Sequence, residues 1–196
     1  MAKLCDYTDE KGNPAVGRGL VPLREEERGK RQFMNGESPS RFPKRKWARL
    51  PGFDYAARVP YSVTICSKDR RPTFYSSPLS ADVIECLKEE AERTRFILLA
   101  YCLMPDHMHI LAIPGTSNVS LSRFIGGFKS KSTRRAWQHG GDGQVWQDSF
   151  YEHIVRGNEH LHTVAEYIVA NPVRKGLTAV VGEYEHAAIF YQNFPA

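Results

Sequence analysis

Residues 96–113 read FILLAYCLMPDHMHILAI, and this stretch decides the fold. Its first half, residues 96–104, is a nearly unbroken apolar run of the kind found in buried strands. Pro105 and Asp106 form a turn signal, and residues 107–113 have the composition of a second strand. The stretch therefore predicts a β-hairpin whose second strand begins at a histidine.

Elements on both sides of this hairpin predict an α+β fold. Residues 61–66 have the β-branched and aromatic density of a strand, and residues 78–95 carry apolar side chains at helical spacing behind a capping residue, Ser80. The downstream pattern predicts a helix over 121–137, an extended segment over 145–155 and a helix over 159–170. The order β-α-β-β-α-β-α is that of a ferredoxin-like split βαβ antiparallel sheet with an additional C-terminal helix.

The charge of the chain is unevenly distributed. The 196 residues include 27 Lys and Arg against 22 Asp and Glu, a net charge of +5. Residues 1–50 hold 12 basic and 7 acidic side chains, whereas residues 51–196 hold 15 of each. Residues 1–46 are rich in Gly, Pro and charged residues, which predicts an extended or flexible basic arm. Residues 47–196 are expected to form a single domain.

Several classes of protein are excluded by composition. No apolar run approaches the roughly 18–20 residues that span a bilayer, and the N-terminus lacks the apolar segment of a secretory signal. The four cysteines form no C-x-x-C pair, which argues against a disulfide framework and a structural zinc site. We therefore expect a soluble cytoplasmic protein without a membrane partner.

Two histidines at the start of the second hairpin strand are candidate metal ligands. Because side chains alternate along a strand, His107 and His109 share one face and lie about 7 Å apart along it. Two imidazoles on a rigid strand form half of a divalent-metal site, although histidines that only pack or hydrogen-bond are common. His160 and His162 have the same spacing in a helical segment, where they diverge, so they are interpreted as surface or packing residues.

The last predicted helix carries a second candidate pair. Tyr167 and Asn171 are four residues apart and share a helical face. The Asn171 oxygen could supply a third ligand while Tyr167 attacks a phosphate, and the open positions would suit Mg²⁺ or Mn²⁺. The alternative is an ordinary helix residue followed by a helix C-cap beside Pro172.

A third feature is a basic helix face, which is concealed by the zero net charge of residues 51–196. Between His107 and Gly141 there is no Asp or Glu, and serine and threonine hydroxyls interleave with the basic side chains. The basic residues of this stretch are Arg123, Lys129, Lys131, Arg134 and Arg135. Such a face is typical of contacts with a phosphate backbone, although a solvated helix face is the alternative.

Five motifs in order resemble the REP-associated tyrosine transposases, a branch of the HUH single-tyrosine transposase superfamily. The resemblance covers roughly residues 47–177. The motifs are RLPGFDY at 49–55, YSVTIC at 61–66, MPDHMHIL at 104–111, WQDSFYEH at 146–153 and YIVANPVRKGL at 167–177. The fold of that family is similar to the ferredoxin-like arrangement predicted above.

The resemblance implies a chemistry for each matched position. His107 and His109 match the family's metal ligands, Asn171 the third ligand, and Tyr167 the nucleophile on the C-terminal helix. A divalent ion would polarise a phosphate of single-stranded or hairpin DNA, and attack by the tyrosine would leave a 5′-phosphotyrosine and a free 3′-OH without ATP. His153 also matches a family position, and we interpret it as structural.

Further expectations accompany this resemblance. Two basic residues of the last motif, Arg174 and Lys175, are expected to contact DNA together with the basic helix face. A bacterial cytoplasmic, nucleoid-associated protein is expected, either a monomer or a homodimer with the tyrosine helix in cis or in trans. Two other functions stay open: a domesticated hairpin-binding protein that does not cleave, and a metal hydrolase of small phosphoesters.

Overall fold

The computed structural model describes residues 57–75, 77–155 and 159–195. The basic arm predicted over residues 1–46 lies outside the described residues, as does the motif at 49–55. The boundary predicted between residues 46 and 47 therefore stays a prediction.

A five-stranded antiparallel sheet forms the centre of the described fold. Its strands, in chain order, are β1 (Tyr61–Cys66), β2 (Phe96–Met104), β3 (His107–Pro114), β4 (Tyr151–Ile154) and β5 (Ala187–Ile189). Across the sheet the order is β4-β1-β3-β2-β5, and every neighbouring pair is antiparallel. The hairpin predicted from residues 96–113 is confirmed as β2 and β3.

The helices complete the predicted topology. They are α1 (Ser77–Thr94), α2 (Leu121–Gln138), α3 (Glu159–Val169) and the single turn α4 (Asn171–Arg174). With β1 to β4 they give the split βαβ order of a ferredoxin-like fold, so the predicted α+β class and the additional C-terminal helix are confirmed. None of the helices in the described part of the chain is long and apolar enough to cross a membrane.

The sheet has helices on both faces, and β3 contributes to both cores. Met108 and Ile110 are fully buried in the core beneath α1 and α2. Leu111 points to the opposite face, where it packs with Ala165 and Ile168 of α3. Because strand side chains alternate, every odd-numbered residue from 107 to 113 lies on the α3 side of the sheet.

The start of α1 differs from the sequence-based expectation. The sequence predicts Ser80 as its capping residue, but α1 begins at Ser77, and Ser80 Oγ donates to the backbone oxygen of Phe74 from within the helix.

Two β regions also differ from that expectation. The segment predicted as extended over 145–155 contains only a four-residue strand, preceded by an isolated bridge between Ser67 and Trp146. β5 was not predicted, because three residues carry too little periodicity to be recognised. It forms by pairing with β2, where Ala100 lies opposite Ile189.

A buried carboxylate joins α1 to α2. Glu90 is 1% exposed and accepts two hydrogen bonds from Arg93, while the Lys131 ammonium lies 3.8 Å from its Oε2. A Cβ at Gly127 would overlap Glu90 Oε1, whereas a Cβ at Gly126 would meet nothing within 4 Å. An alanine at position 127 would therefore displace the Glu90 carboxylate from its place beside α2.

We expect opposite effects from two neighbouring substitutions. Gly127→Ala should lower the free energy of unfolding by about 1–3 kcal/mol, because the new methyl group displaces a buried, paired carboxylate. Gly126→Ala, the matched control, should raise it by up to about 1 kcal/mol through helix propensity alone. Urea unfolding followed by circular dichroism measures both. Equal stabilisation by the two substitutions would contradict this account.

Candidate active site

The two histidines of β3 converge on one point. His107 Nε2 lies 3.1 Å from His109 Nε2, and the two rings are perpendicular. His107 is buried and His109 is half-buried. Both side chains point to the α3 side of the sheet, so the two histidines share one face, as the sequence predicts.

The other nitrogen of each ring is held by a neighbouring side chain. His107 Nδ1 is 2.5 Å from Asp106 Oδ1, and His109 Nδ1 is 3.0 Å from Thr64 Oγ1. An ionised carboxylate only accepts, so His107 Nδ1 donates its hydrogen to Asp106, which would leave Nε2 as the ring nitrogen available to a cation. Burial lowers the pKa of His109 to about 3, and the nearby positive charge of Arg70 adds to the effect. His109 is therefore neutral near pH 7.

This arrangement suits a divalent cation. Two ligands about 2.1 Å from an octahedral ion, at right angles to each other, are about 3.0 Å apart, close to the 3.1 Å between the two Nε2 atoms. Ligands whose second nitrogen is anchored by a carboxylate or hydroxyl are the usual pattern in metal sites. No group of three His, Cys, Asp or Glu side chains among the described residues could complete such a site. A third ligand drawn from the described residues would therefore be of another type.

Asn171 is the predicted third ligand, and its amide group is oriented by the end of α3. It is 7% exposed, and its Nδ2 donates to the backbone oxygens of Tyr167 and Ile168, each at 3.0 Å. The two N–H groups thus cap the helix, which leaves Oδ1 as the atom able to bind a cation. The interpretation as a helix cap and the interpretation as a ligand are therefore compatible.

Tyr167 lies on α3, the helix that covers the histidine side of the sheet. The half-buried phenol ring has the Arg174 guanidinium over its face, 4.3 Å from the ring centroid. The charge of Arg174 also contributes to the lowered pKa of His109. Arg174, predicted to contact DNA, therefore lies beside the candidate nucleophile. Lys175, the next predicted contact, is exposed.

Arg70 is a site residue that sequence reasoning missed. Its Nη1 lies 3.2 Å from Cys66 Sγ and 3.4 Å from Asp106 Oδ2. Burial would raise the pKa of Asp106, but the hydrogen bond to His107 and the charge of Arg70 outweigh it and hold that pKa below its usual value. Arg70 is placed there by a 3₁₀ turn in which Asp69 and Arg70 both have positive φ. Asp is one of the residue types enriched at positive φ, but arginine is not, so the conformation of Arg70 has no sequence signal.

The basic face of α2 lies on the other side of the sheet. Lys129 Nζ donates to the backbone oxygens of Gln147 and Ser149, and Lys131 Nζ pairs with Glu89 at 2.9 Å. Arg135 is half-buried, whereas Arg123 and Arg134 are exposed. Lys129 and Lys131 therefore support the fold, and DNA contact by the α2 residues stays a prediction.

Known proteins match this chain in sequence and in fold. The sequence model of the family described as "Transposase IS200 like" matches residues 56–171. A Haemophilus influenzae protein described as a REP-associated tyrosine transposase is 25% identical over 146 residues, which cover 69% of this chain and 82% of the relative. The REP-associated tyrosine transposase of Escherichia coli K12 is 28% identical over 91 residues, covering 45% of this chain and 52% of the relative.

A solved structure shares the fold. It is a REP-associated tyrosine transposase bound to a REP hairpin, and it superposes with a TM-score of 0.55 at 18% identity. The superposition covers 70% of this chain and 86% of the other. These matches confirm the resemblance that the five sequence motifs predicted.

The unequal environments of the α2 cations predict unequal effects on stability. Lys131→Met should lower the free energy of unfolding by about 1 kcal/mol, because Glu89 and the buried Glu90 both lose a cation. Arg134→Met, the matched control on the exposed side of α2, should change it by less than about 0.5 kcal/mol. Urea unfolding of both variants provides the measurement, and identical midpoints would refute the structural role of Lys131.

Proposed function

This chain belongs to the family of IS200-like transposases, and on that premise we propose that it cleaves and rejoins single-stranded or hairpin DNA with Tyr167 as its nucleophile. The observation that carries the proposal is the convergence of His107 Nε2 and His109 Nε2 on the sheet face that α3 covers. That helix bears Tyr167 and is followed by Arg174. A strand with two candidate metal ligands, beneath a helix that carries a tyrosine, supports the proposal of phosphoryl transfer.

The chemistry requires a divalent cation, Mg²⁺ or Mn²⁺, which His107, His109 and Asn171 Oδ1 would hold. When bound, the ion supplies positive charge to the scissile phosphate and so stabilises charge that develops in the transition state. The chain's own contribution is to fix the ligands: Asp106 and Thr64 orient the two imidazoles, and the end of α3 orients the amide.

The covalent step is a transesterification that conserves the number of phosphate ester bonds. Tyr167 Oη forms a bond to phosphorus as the bond from phosphorus to the 3′ oxygen breaks, and the phenolic proton is balanced by the one that the departing 3′ oxygen gains. The products are a 5′-phosphotyrosine and a free 3′-OH, which can reverse the step and rejoin strands without ATP. Arg174, over the tyrosine ring, places a positive charge at the face of the ring that bears the attacking oxygen.

We also infer the kind of DNA substrate and the number of protein copies that cleavage needs. A structural relative is bound to a REP hairpin, and we assign hairpin DNA with a single-stranded extension to this chain as well. Since α3 packs on its own sheet through Ala165 and Ile168, we infer that Tyr167 acts on the phosphate held by the metal ligands of the same chain, in which case a single copy would suffice for cleavage.

Tyr167→Phe should abolish covalent trapping of DNA, because the variant keeps the ring but lacks the attacking oxygen. The assay incubates the full chain with Mn²⁺ and hairpins carrying a labelled extension, and separates adducts on a denaturing gel. Tyr191→Phe, which alters an exposed tyrosine elsewhere, is the control and should form the adduct at the wild-type level.

Other results of this assay would favour the alternatives. An adduct that survives Tyr167→Phe would mean that another residue is the nucleophile. Salt-dependent hairpin binding without an adduct under any divalent ion would identify a binding protein that does not cleave. Turnover of small phosphoesters without DNA binding would identify a metal hydrolase.

Asp106→Ala should weaken Mn²⁺ binding by about 10–100-fold, because His107 loses the acceptor that fixes its orientation and tautomer. Titration of the free Mn²⁺ signal by electron paramagnetic resonance measures the affinity. Asp142→Ala, which removes an exposed carboxylate in the loop after α2, is the matched control and should bind as the wild type does. An unchanged Mn²⁺ affinity of Asp106→Ala would show that Asp106 does not position the metal ligands.

A further inference from the structure

Two consecutive residues beside the candidate metal ligands have a left-handed backbone although neither is glycine. Asp69 has a φ of 54° and Arg70 a φ of 57°. Such conformations cost free energy and persist only where the surrounding structure imposes them. Glycine would adopt this backbone without the steric conflict of a Cβ. What arginine adds at position 70 is therefore its side chain.

Backbone hydrogen bonds tie this turn to the turn of the β2–β3 hairpin. Before the left-handed pair, Ser67 N donates to the backbone oxygen of Asp106 at 2.9 Å. After the pair, Phe74 N donates to the backbone oxygen of Pro105, also at 2.9 Å. Because the segment is fixed on both sides of Arg70, the guanidinium is carried to a defined place beside the Asp106 carboxylate.

The Asp106 carboxylate has a different partner at each oxygen. Arg70 Nη1 donates to Cys66 Sγ at 3.2 Å and lies 3.4 Å from Asp106 Oδ2. The other oxygen, Oδ1, is 2.5 Å from His107 Nδ1. The side chains of Arg70 and Asp106 are 30% and 31% exposed, and an ion pair with this access to solvent adds little to the free energy of unfolding. Its main effect is to fix the direction of the carboxylate.

The direction of this carboxylate matters for the first histidine. A carboxylate held at both oxygens cannot rotate without breaking a contact, whereas one held at a single oxygen can. If Asp106 rotates, the His107 ring either turns with it or moves its hydrogen from Nδ1 to Nε2. Either change removes Nε2 as a ligand directed to the same point as His109 Nε2, 3.1 Å away.

We propose that Arg70 is a positioning residue for the candidate metal site, which holds Asp106 in the rotamer that keeps His107 Nε2 directed at the cation. The proposal rests on the metal site of the function proposed above. Groups that orient a ligand are part of the design of metal sites, and Arg70 extends this support by one residue. It acts through Asp106 and not on the substrate.

The charge of Arg70 has an effect of the opposite sign. A guanidinium close to the metal ligands repels a divalent cation, so its charge alone would weaken metal binding. The orienting effect requires Asp106, whereas the repulsion does not. Comparing the loss of Arg70 with and without Asp106 therefore separates the two effects.

The experiment is a double-mutant cycle on the Mn²⁺ affinity of the full chain without DNA, measured by electron paramagnetic resonance. In the native chain, Arg70→Met should weaken Mn²⁺ binding by about three- to tenfold, because the carboxylate that orients His107 loses a partner. In the Asp106→Ala chain, the same substitution should leave the affinity unchanged or raise it, because only the repulsion is lost. Arg71→Met, which removes the same charge from the exposed neighbouring arginine, is the matched control and should bind as the native chain does.

A second measurement reports on His107 directly. Nitrogen-15 NMR spectra of the imidazoles distinguish the two neutral tautomers, and the native chain should carry the hydrogen of His107 on Nδ1. Arg70→Met should show a mixture of the two tautomers at His107, whereas Arg71→Met should not. A role of Arg70 in folding alone would lower the urea midpoint and leave the tautomer in the folded chain unchanged.

The outcomes separate this proposal from the function on which it rests. Equal effects of Arg70→Met in the two chains refute the positioning role, as does an unchanged His107 tautomer in folded Arg70→Met. A native chain that binds no Mn²⁺ refutes the metal site and the positioning role together. If the cycle gives the expected result but the native chain forms no covalent adduct with DNA, the positioning role stands and the proposed function fails.

Discussion

The alternation of side chains along β3 is the constraint on which the rest of the structure depends. Met108 and Ile110 must lie in the core under α1 and α2, and their burial forces His107 and His109 to the other face. A slip of one residue against β1 would exchange the two sets and bury both imidazoles in an apolar core. The hydrophobic effect therefore fixes the register, and the register fixes the candidate metal ligands beneath α3.

The sequence allowed correct prediction of features that depend on local periodicity. The apolar run before Pro105 predicted a buried strand, and the spacing of the two histidines predicted that they share one face of the sheet. Arg70 could not be found in this way, because its place depends on a left-handed conformation that arginine itself does not favour. β5 depends on pairing with a strand more than 80 residues earlier, and such pairing has no local signature.

The electrostatic environment of a side chain was the feature that counting charges along the sequence predicted least well. The stretch from His107 to Gly141 lacks acids in sequence, but Lys131 is paired in space with Glu89, 42 residues earlier on α1. For His162, in contrast, the sequence predicted the role of the side chain correctly. His162 packs its ring against Phe194 at 4.3 Å, as its position on a helix predicted. Element type predicts the direction of a side chain, whereas its electrostatic partners are set by tertiary packing.

The two-sided sheet has a consequence for how such a protein can diverge. The candidate chemistry lies on the α3 side, and the exposed cations Arg123 and Arg134 lie on α2, beyond the sheet and its core. Substitutions separated by that distance, with no shared contacts, combine additively. Selection can therefore alter the outer surface of α2 step by step without disturbing the geometry of His107 and His109. The two sides of the sheet can therefore be altered independently of each other.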